Sequence, residues 1–448
     1  MHISYYLTIM LMVVWVVHIR WVVNAHGISL AKFFLAHKYG LAFALIITAI
    51  IFVSVRVEFK ILSDETNLLS VSRSMLMDKT VGNVIMATYY EGLHPISTEI
   101  PKRPLAFPFL VNIIHTVTGF RYQNAFALNF IVLFFMLSGV FVMARKFVDT
   151  KSSVAAVLLV VSYPAVSIYA TTGGFDLLNT ALFILVLGLS HRFIMNPSGP
   201  LFGLLMATIL VFSNVRYESA IFLLVVPILL APCITLAHLR SSIHLFLSAP
   251  LLLLPNYWQR YFATDFAVPE SESLFSWVSF TKHLPTFVQN QFDFSGTLPY
   301  ASIINVLALA GVLVFLAEVA RGSMKLTRKQ LHWAIFLATV ILLNAGIFLS
   351  YHFGLSNHPI SARYFLSFCV VFALLPLILR ILTPRIMSGV ALLTIAIISF
   401  LYYHPFAVKD DFTRTLAFTK STRAALRSLS GLDRNNMLII SERPSRFT

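Results

Sequence analysis

Residues 125–144 read AFALNFIVLFFMLSGVFVMA, and Arg145-Lys146 follows at once. The stretch runs twenty residues without a charge, the length an α-helix needs to cross the roughly 30 Å hydrocarbon core of a bilayer. In lipid every backbone N–H and C=O must be satisfied within the segment, and a helix does that. Eleven more windows of this character flank it, near 3–24, 41–57, 152–170, 177–195, 200–213, 219–237, 242–257, 301–320, 331–351, 364–382 and 386–403. The sequence therefore predicts an all-α polytopic membrane protein with about twelve transmembrane helices. Composition agrees. Of 448 residues, 58% are hydrophobic and 11% charged, too little charge to cover a water-soluble surface. A soluble enzyme, a disordered chain and a coiled coil are excluded. So is a disulfide scaffold, because the two cysteines, Cys233 and Cys369, each sit inside an apolar run. Residues 1–24 lack a basic leading region and a small-residue cleavage site, and are read as a first helix.

Lysine and arginine in the loops set the orientation. With the first helix running inward, the inner loops are 25–40, 145–151, 191–199, 238–241, 321–330 and 383–385. They collect Lys32, Lys38, Arg145, Lys146, Lys151, Arg192, Arg240, Arg321, Lys325, Arg328, Lys329 and Arg385, against Asp149 alone. Merging 200–213 with 219–237 would throw the basic 321–330 loop outside, so the charges argue for two spans there. The net charge of +15 is topogenic, with a contribution from the tail 404–448, and implies no nucleic-acid partner. The chain divides into a membrane module, 1–403, and that short tail, which the same parity places outside.

Two outer loops are long, 58–124 and 258–300; the second carries Asp265, Glu270, Glu272 and Asp293 against Arg260 and Lys282. The apolar windows are almost free of ionisable groups, which crowd one membrane face; a binding or reaction site belongs there. In the first loop Asp64-Glu65-Thr66 opens a stretch in which Leu68, Leu69, Val71, Met75 and Leu76 recur at helical spacing. That pattern fits an amphipathic helix on the membrane surface. Asp64 and Glu65 would cap it and complement its dipole, or do chemistry. Pro101-Lys102-Arg103-Pro104 then leads into a second apolar, interfacial helix. Lys102 and Arg103 would snorkel to the interface, or clamp a phosphate at headgroup depth.

The order of these features resembles the GT-C membrane glycosyltransferases, most closely the group of the lipid A aminoarabinose transferase and the protein O-mannosyltransferases. The resemblance covers most of the chain. Thr171-Thr172-Gly173-Gly174-Phe175-Asp176 places a second acid at the outer end of the next helical hairpin, Asn214-Val215-Arg216-Tyr217-Glu218 resembles the family's Arg-x-Glu turn, and His358-Pro359-Ile360-Ser361-Ala362-Arg363-Tyr364 resembles its late His…Arg-Tyr element. Asn67 stands where the aminoarabinose pattern has an arginine. Singly each motif has a plain reading: Asp176 as a helix cap, Arg216 and Glu218 as a structural ion pair, Arg363 as a flank charge.

The resemblance implies transfer of a monosaccharide from a polyprenyl-phosphate donor to a protein, lipid or glycan, with inversion. Asp64 would be the general base, and Glu65 would orient that site or bind acceptor. Lys102, Arg103 and Arg363 would hold the phosphate. Asp176 would position the acceptor or share a divalent cation with Asp64, and Arg216, Glu218 and His358 would line the substrate site. Size and the lack of appended domains suggest a bacterial inner membrane with the site facing the periplasm. The competing readings are a polyprenyl-linked glycan transporter or flippase, and an O-antigen ligase or polymerase. No HExxH, Walker A, dinucleotide glycine pattern or Gly-x-Ser-x-Gly occurs, which disfavours a structural zinc site, nucleotide-driven pumping and direct nucleotide-sugar use.

Overall fold

The computed structural model describes residues 1–89, 92–262, 273–294, 300, 302–323, 325–358, 360–382 and 388–402. The tail 404–448 and Asp265, Glu270 and Glu272 lie outside the described residues. The chain begins with α1 (His2–Ala25), α2 (Leu30–Ser54) and α3 (Leu62–Met77), then an antiparallel hairpin of β1 (Asn83–Tyr89) and β2 (Gly92–Glu99). It continues through α4 (Ala106–Thr118), α5 (Gln123–Arg145), α6 (Thr150–Val161), α7 (Pro164–Ala170), α8 (Asp176–Met195) and α9 (Gly199–Ser213). A 3-10 turn (Tyr217–Ile221) leads to α10 (Phe222–Leu230), α11 (Leu236–Leu252), α12 (Leu254–Phe262), α13 (Trp277–Gln291), α14 (Ser302–Ala320) and α15 (Arg328–Ser350). A second 3-10 turn (Ala362–Phe365) precedes α16 (Leu366–Leu382) and α17 (Gly389–Tyr402).

Every predicted window is largely helical over its described residues. Among the described residues eight helical segments are long and apolar enough to cross a membrane, and α6 with α7 makes a ninth if that bent pair is one span. The other three windows form shorter apolar helices, Gly199–Ser213, Tyr217–Cys233 and Gly389–Leu401. The chain is a multi-pass, all-α membrane protein. Its exposure pattern agrees, because large apolar side chains face outward: Val53 is 87% exposed and Leu247 75%. The interior is built round α9, where every residue from Leu201 to Ser213 is buried.

Two boundaries differ from expectation for local reasons. The second span begins at Leu30, inside the expected inner loop, because Ser29 caps the helix by accepting from the Lys32 amide, and lysines can extend to the interface without ending a helix. The window 152–170 is broken by 71°. Pro164 has no N–H to continue α6, and the residue before a proline is driven to extended backbone; Tyr163 has φ −76° and ψ 115°.

The long first loop is anchored by α3 against α4 and α5. Asn124 Nδ2 donates to the Gly119 carbonyl at 2.9 Å and to Thr118 Oγ1 at 2.8 Å, and it lies 2.7 Å from His115 Nδ1. His115 Nε2 lies 3.1 Å from Ser72 Oγ, and Ser72 donates to the Leu69 carbonyl. This Ser-His-Asn line resembles a catalytic triad, but the Ser72 hydroxyl donates to a backbone carbonyl and Ser72 is fully buried. It is a structural tie. Replacing His115 with Ala removes a buried ring and both of its polar contacts, to Ser72 and Asn124, at an expected cost of about 1–3 kcal/mol. Thermal unfolding in detergent should show the loss, with ligand binding at the site below retained.

Candidate functional site

The outer-face motifs meet at one end of the bundle. Asp64 and Glu65 occupy the first turn of α3, where a carboxylate complements the helix dipole. Asp176 is the first residue of α8. Arg216 follows α9 in extended backbone, and Arg363 lies in the 3-10 turn before α16. Arg103 precedes α4 on a stretch whose carbonyls are gripped from two sides: the Tyr217 hydroxyl donates to Lys102 O, and Gln259 Nε2 donates to Arg103 O at 2.9 Å. That grip aims the Arg103 side chain.

The core of the site is a chain of alternating charges. Arg103 forks onto Asp64, with Nε to Oδ1 at 3.1 Å, Nη2 to Oδ1 at 2.9 Å and Nη2 to Oδ2 at 3.1 Å. Arg363 donates through Nη2 to Asp64 Oδ2 and through Nη1 to Asp176 Oδ2, the latter at 3.4 Å. Arg216 Nη2 stands 3.7 Å from Asp176 Oδ1, and its guanidinium lies over the rings of Phe175, Phe348 and Tyr364 at 5.4, 4.9 and 4.6 Å, a cation–π cage. Three guanidiniums thus face two carboxylates, an excess of one positive charge. Among the described residues the buried Arg216 Nη1 and Arg363 Nε atoms have no hydrogen-bond partner. Exposure rises from Arg363 at 1% through Asp64 at 13% to Arg103 at 28%, so the cluster opens to one side, at Asp64 and Arg103.

Electrostatics separate the adjacent acids. Burial alone would raise the Asp64 carboxyl, but the Arg103 and Arg363 guanidiniums hold it well below the usual carboxylate range. Asp64 stays ionised and, so clamped, is a weak base. Glu65 is buried and accepts from the Lys60 amide; desolvation pushes its carboxyl up to about 8, against the backbone N–H donors of Lys60 and Ile61.

One expectation changes. Arg216 does not pair with Glu218; Phe175, Phe348 and Tyr364 cage it and turn it to Asp176, while Glu218 is half-buried outside the cluster. Neither aspartate is touched by His358, whose Nδ1 accepts from the Ile360 amide and whose carbonyl accepts from Ser361 and Ala362 within its own turn. Lys102 is half-buried beside the site. A cation shared by Asp64 and Asp176 fits this donor set poorly, because Arg363 already bridges the two carboxylates. Among the described residues no group of three or more His, Cys, Asp or Glu could hold a metal. The site also uses residues the motifs did not flag. Tyr217 and Tyr364 sit inside quoted motifs but reveal their roles only in space, and Lys60, just past an apolar span, looks like a flank charge.

No protein-family model matches the chain, and no curated protein sequence matches it. Two similar solved structures are crystal structures of ArnT from Cupriavidus metallidurans. One, in the apo state, is 12% identical with a TM-score of 0.44; the other, bound to undecaprenyl phosphate, is 14% identical with a TM-score of 0.44. Each comparison covers 92% of this chain and 85% of that chain. ArnT is the lipid A aminoarabinose transferase, of the group that the sequence motifs resemble. At such identities and scores, function has to be read from the side chains.

Proposed function

We propose that the protein is an integral-membrane glycosyltransferase that moves a monosaccharide from a polyprenyl-phosphate donor to an acceptor at the extracytoplasmic face. The observation that carries this reading is the buried cluster with one cation in excess and two orphaned guanidinium N–H donors, open beside a single ionised carboxylate. Such a group of donors is suited to an anion with several oxygens, and arginine forks match phosphate geometry.

In the proposed reaction Arg103 and Arg363 turn part of their donors from Asp64 to the donor phosphate. Losing those donors raises the Asp64 carboxyl toward its ordinary value, so the phosphate's arrival itself arms the base. The acceptor oxygen then attacks the anomeric carbon while its proton passes to Asp64. The bond from that carbon to the phosphate oxygen breaks, and the phosphate leaves with the electron pair. Its growing negative charge is met by the partly exposed Arg103 and the buried Arg363 guanidiniums. A single displacement of this kind inverts the anomeric configuration. Asp176 holds Arg363 and Arg216 in place throughout. The polyprenyl chain would lie along the exposed apolar helices, and a bacterial inner membrane with the site toward the periplasm is the setting proposed.

The test reconstitutes the protein in nanodiscs with a panel of polyprenyl-phosphate monosaccharides and an acceptor extract, following donor consumption by mass spectrometry. Consumption of one donor supports the reading and identifies the sugar. Lipid moved between leaflets without bond cleavage would point to a transporter, and consumption of an oligosaccharide-pyrophosphate donor alone to a ligase or polymerase. Because the carboxylates are already paired with arginines, EDTA should leave turnover within about twofold, a change worth under half a kcal/mol. Loss of turnover on chelation, restored by a divalent ion, would replace the arginine-only account.

A further inference from the structure

Lys60 is a buried charge that the proposed chemistry does not use. It is 4% exposed, and its Nζ donates to the Ile168 carbonyl at 2.9 Å and to Thr171 Oγ1 at 2.5 Å, at the C-terminal end of α7. There the last carbonyls lack helical partners and favour a cation. Its own backbone N–H donates to Glu65 Oε2 at 2.8 Å. Two neighbours join the same segments: the Glu58 amide donates to the Thr171 carbonyl at 3.2 Å, and the Phe59 ring packs on Gly173 so closely that a Cβ there would come within 2.7 Å. On its far side the turn is held by Asn129 Nδ2, which donates to the carbonyls of Thr172 and Gly174 at 2.7 and 2.9 Å.

Asp64 follows this lock by four residues and Asp176 follows Thr171 by five. Both aspartates are bridged by one guanidinium, that of Arg363, so their spacing sets how that guanidinium is shared. A long apolar side chain would fill the Lys60 position at less desolvation cost; what the ammonium adds is a directed tie between two segments.

We propose that Lys60 is a positioning residue, a buried ammonium that ties the entry of the Asp64 helix to the turn before Asp176 and so sets the geometry of the arginine-bridged pair. The inference rests on the transferase reading for its kinetic consequence, and on the hydrogen bonds alone for its structural one. Lys60 touches neither aspartate and is given no chemical step.

The experiment therefore reads both. Spin labels at exposed Met77 on α3 and Leu185 on α8, in a Cys233→Ser background, report the α3–α8 distance distribution in nanodiscs. Turnover of the donor is measured on the same proteins. For Lys60→Met the distribution should broaden and kcat fall about a hundredfold, with the donor KM within about threefold, because displacement of a positioned group costs rate rather than ground-state binding. Lys60→Arg, which keeps the charge, should recover at least about a tenth of wild-type kcat on the same arithmetic. Thr171→Val removes one acceptor, leaves Lys60 in place, and should shift both readouts in the same direction by less; it decides the matter should Lys60→Met not fold. An unchanged label distribution, or a KM loss with kcat preserved, overturns the proposal. Broadened labels in a protein whose wild type consumes no donor would leave the tie standing and remove the transferase reading.

Discussion

Asp64→Asn should abolish transfer, by about 10²–10⁴-fold for loss of a general base, and at the same time tighten the binding of polyprenyl phosphate. The second effect distinguishes this mechanism from a simple loss of a structural residue. In the resting site the Asp64 carboxylate occupies the donors of Arg103 and Arg363 that a phosphate would use. Asparagine is nearly isosteric but neutral, so the cluster's cationic excess rises from one to two: three guanidiniums against Asp176 alone. Release of an internal competitor for two arginines should lower the Kd for undecaprenyl phosphate, measured by microscale thermophoresis in detergent. Turnover equal to wild type would remove Asp64 as base. Weaker phosphate binding by the variant would remove the competition between carboxylate and ligand.

Arg363→Met should have the largest effect on the protein itself. The side chain is 1% exposed and bonds to both aspartates. Removing one partner of a buried ion pair strands the other charge, at a cost of about 3–5 kcal/mol. Polyprenyl-phosphate affinity should fall with it, since an orphaned donor and the bridging cation go together. The pH dependence has a definite sign. Asp64 sits below its unfolded carboxylate pKa of about 4, so its ionisation contributes stability that is present at neutral pH and lost as pH falls through the folded value. Without Arg363 the folded value rises, and acid unfolding should begin at a higher pH than in wild type. Arg363→Lys should rescue part of the stability and little of the phosphate affinity, because a point ammonium cannot fork across two carboxylates. Thermal unfolding of the three proteins from about pH 2 to about pH 7, which spans the window below the unfolded carboxylate pKa, would show this order. An Arg363→Met protein as stable as wild type, with its acid onset unmoved, would mean that the bridge is not the organising contact.

The helices were legible because each depends on its own residues. A charge-free run such as 125–144 forms a helix in lipid whatever its neighbours do, and the expected windows proved largely helical over their described residues. The grouping of Asp64, Asp176, Arg216 and Arg363 at one end follows from the same arithmetic, since loop charges set which ends point the same way. What failed were inferences from proximity in sequence. Arg216 and Glu218 stand two residues apart and do not pair; Glu65, adjacent to Asp64, accepts from the Lys60 amide and makes none of the Asp64 ion pairs. Successive residues leave a helix or an extended strand in different directions, so adjacency says little about which side chains meet. The β1–β2 hairpin in the first loop was also not expected from the apolar pattern.

Sequence by itself determined the solvent of this protein, the rough limits of its apolar helices, and that Asp64, Asp176, Arg216 and Arg363 collect at one end of the bundle. Transfer free energy is a sum over local residues, and it can be read in order along the chain. Tertiary structure alone decided that Arg363 reaches Asp64, 299 residues away in sequence, and Asp176, 187 residues away. It alone turned Lys60 from a flank charge into a buried tie. A charge's partner is chosen by how whole helices pack, because a desolvated ion must be paired with whichever opposite group the packing brings within reach.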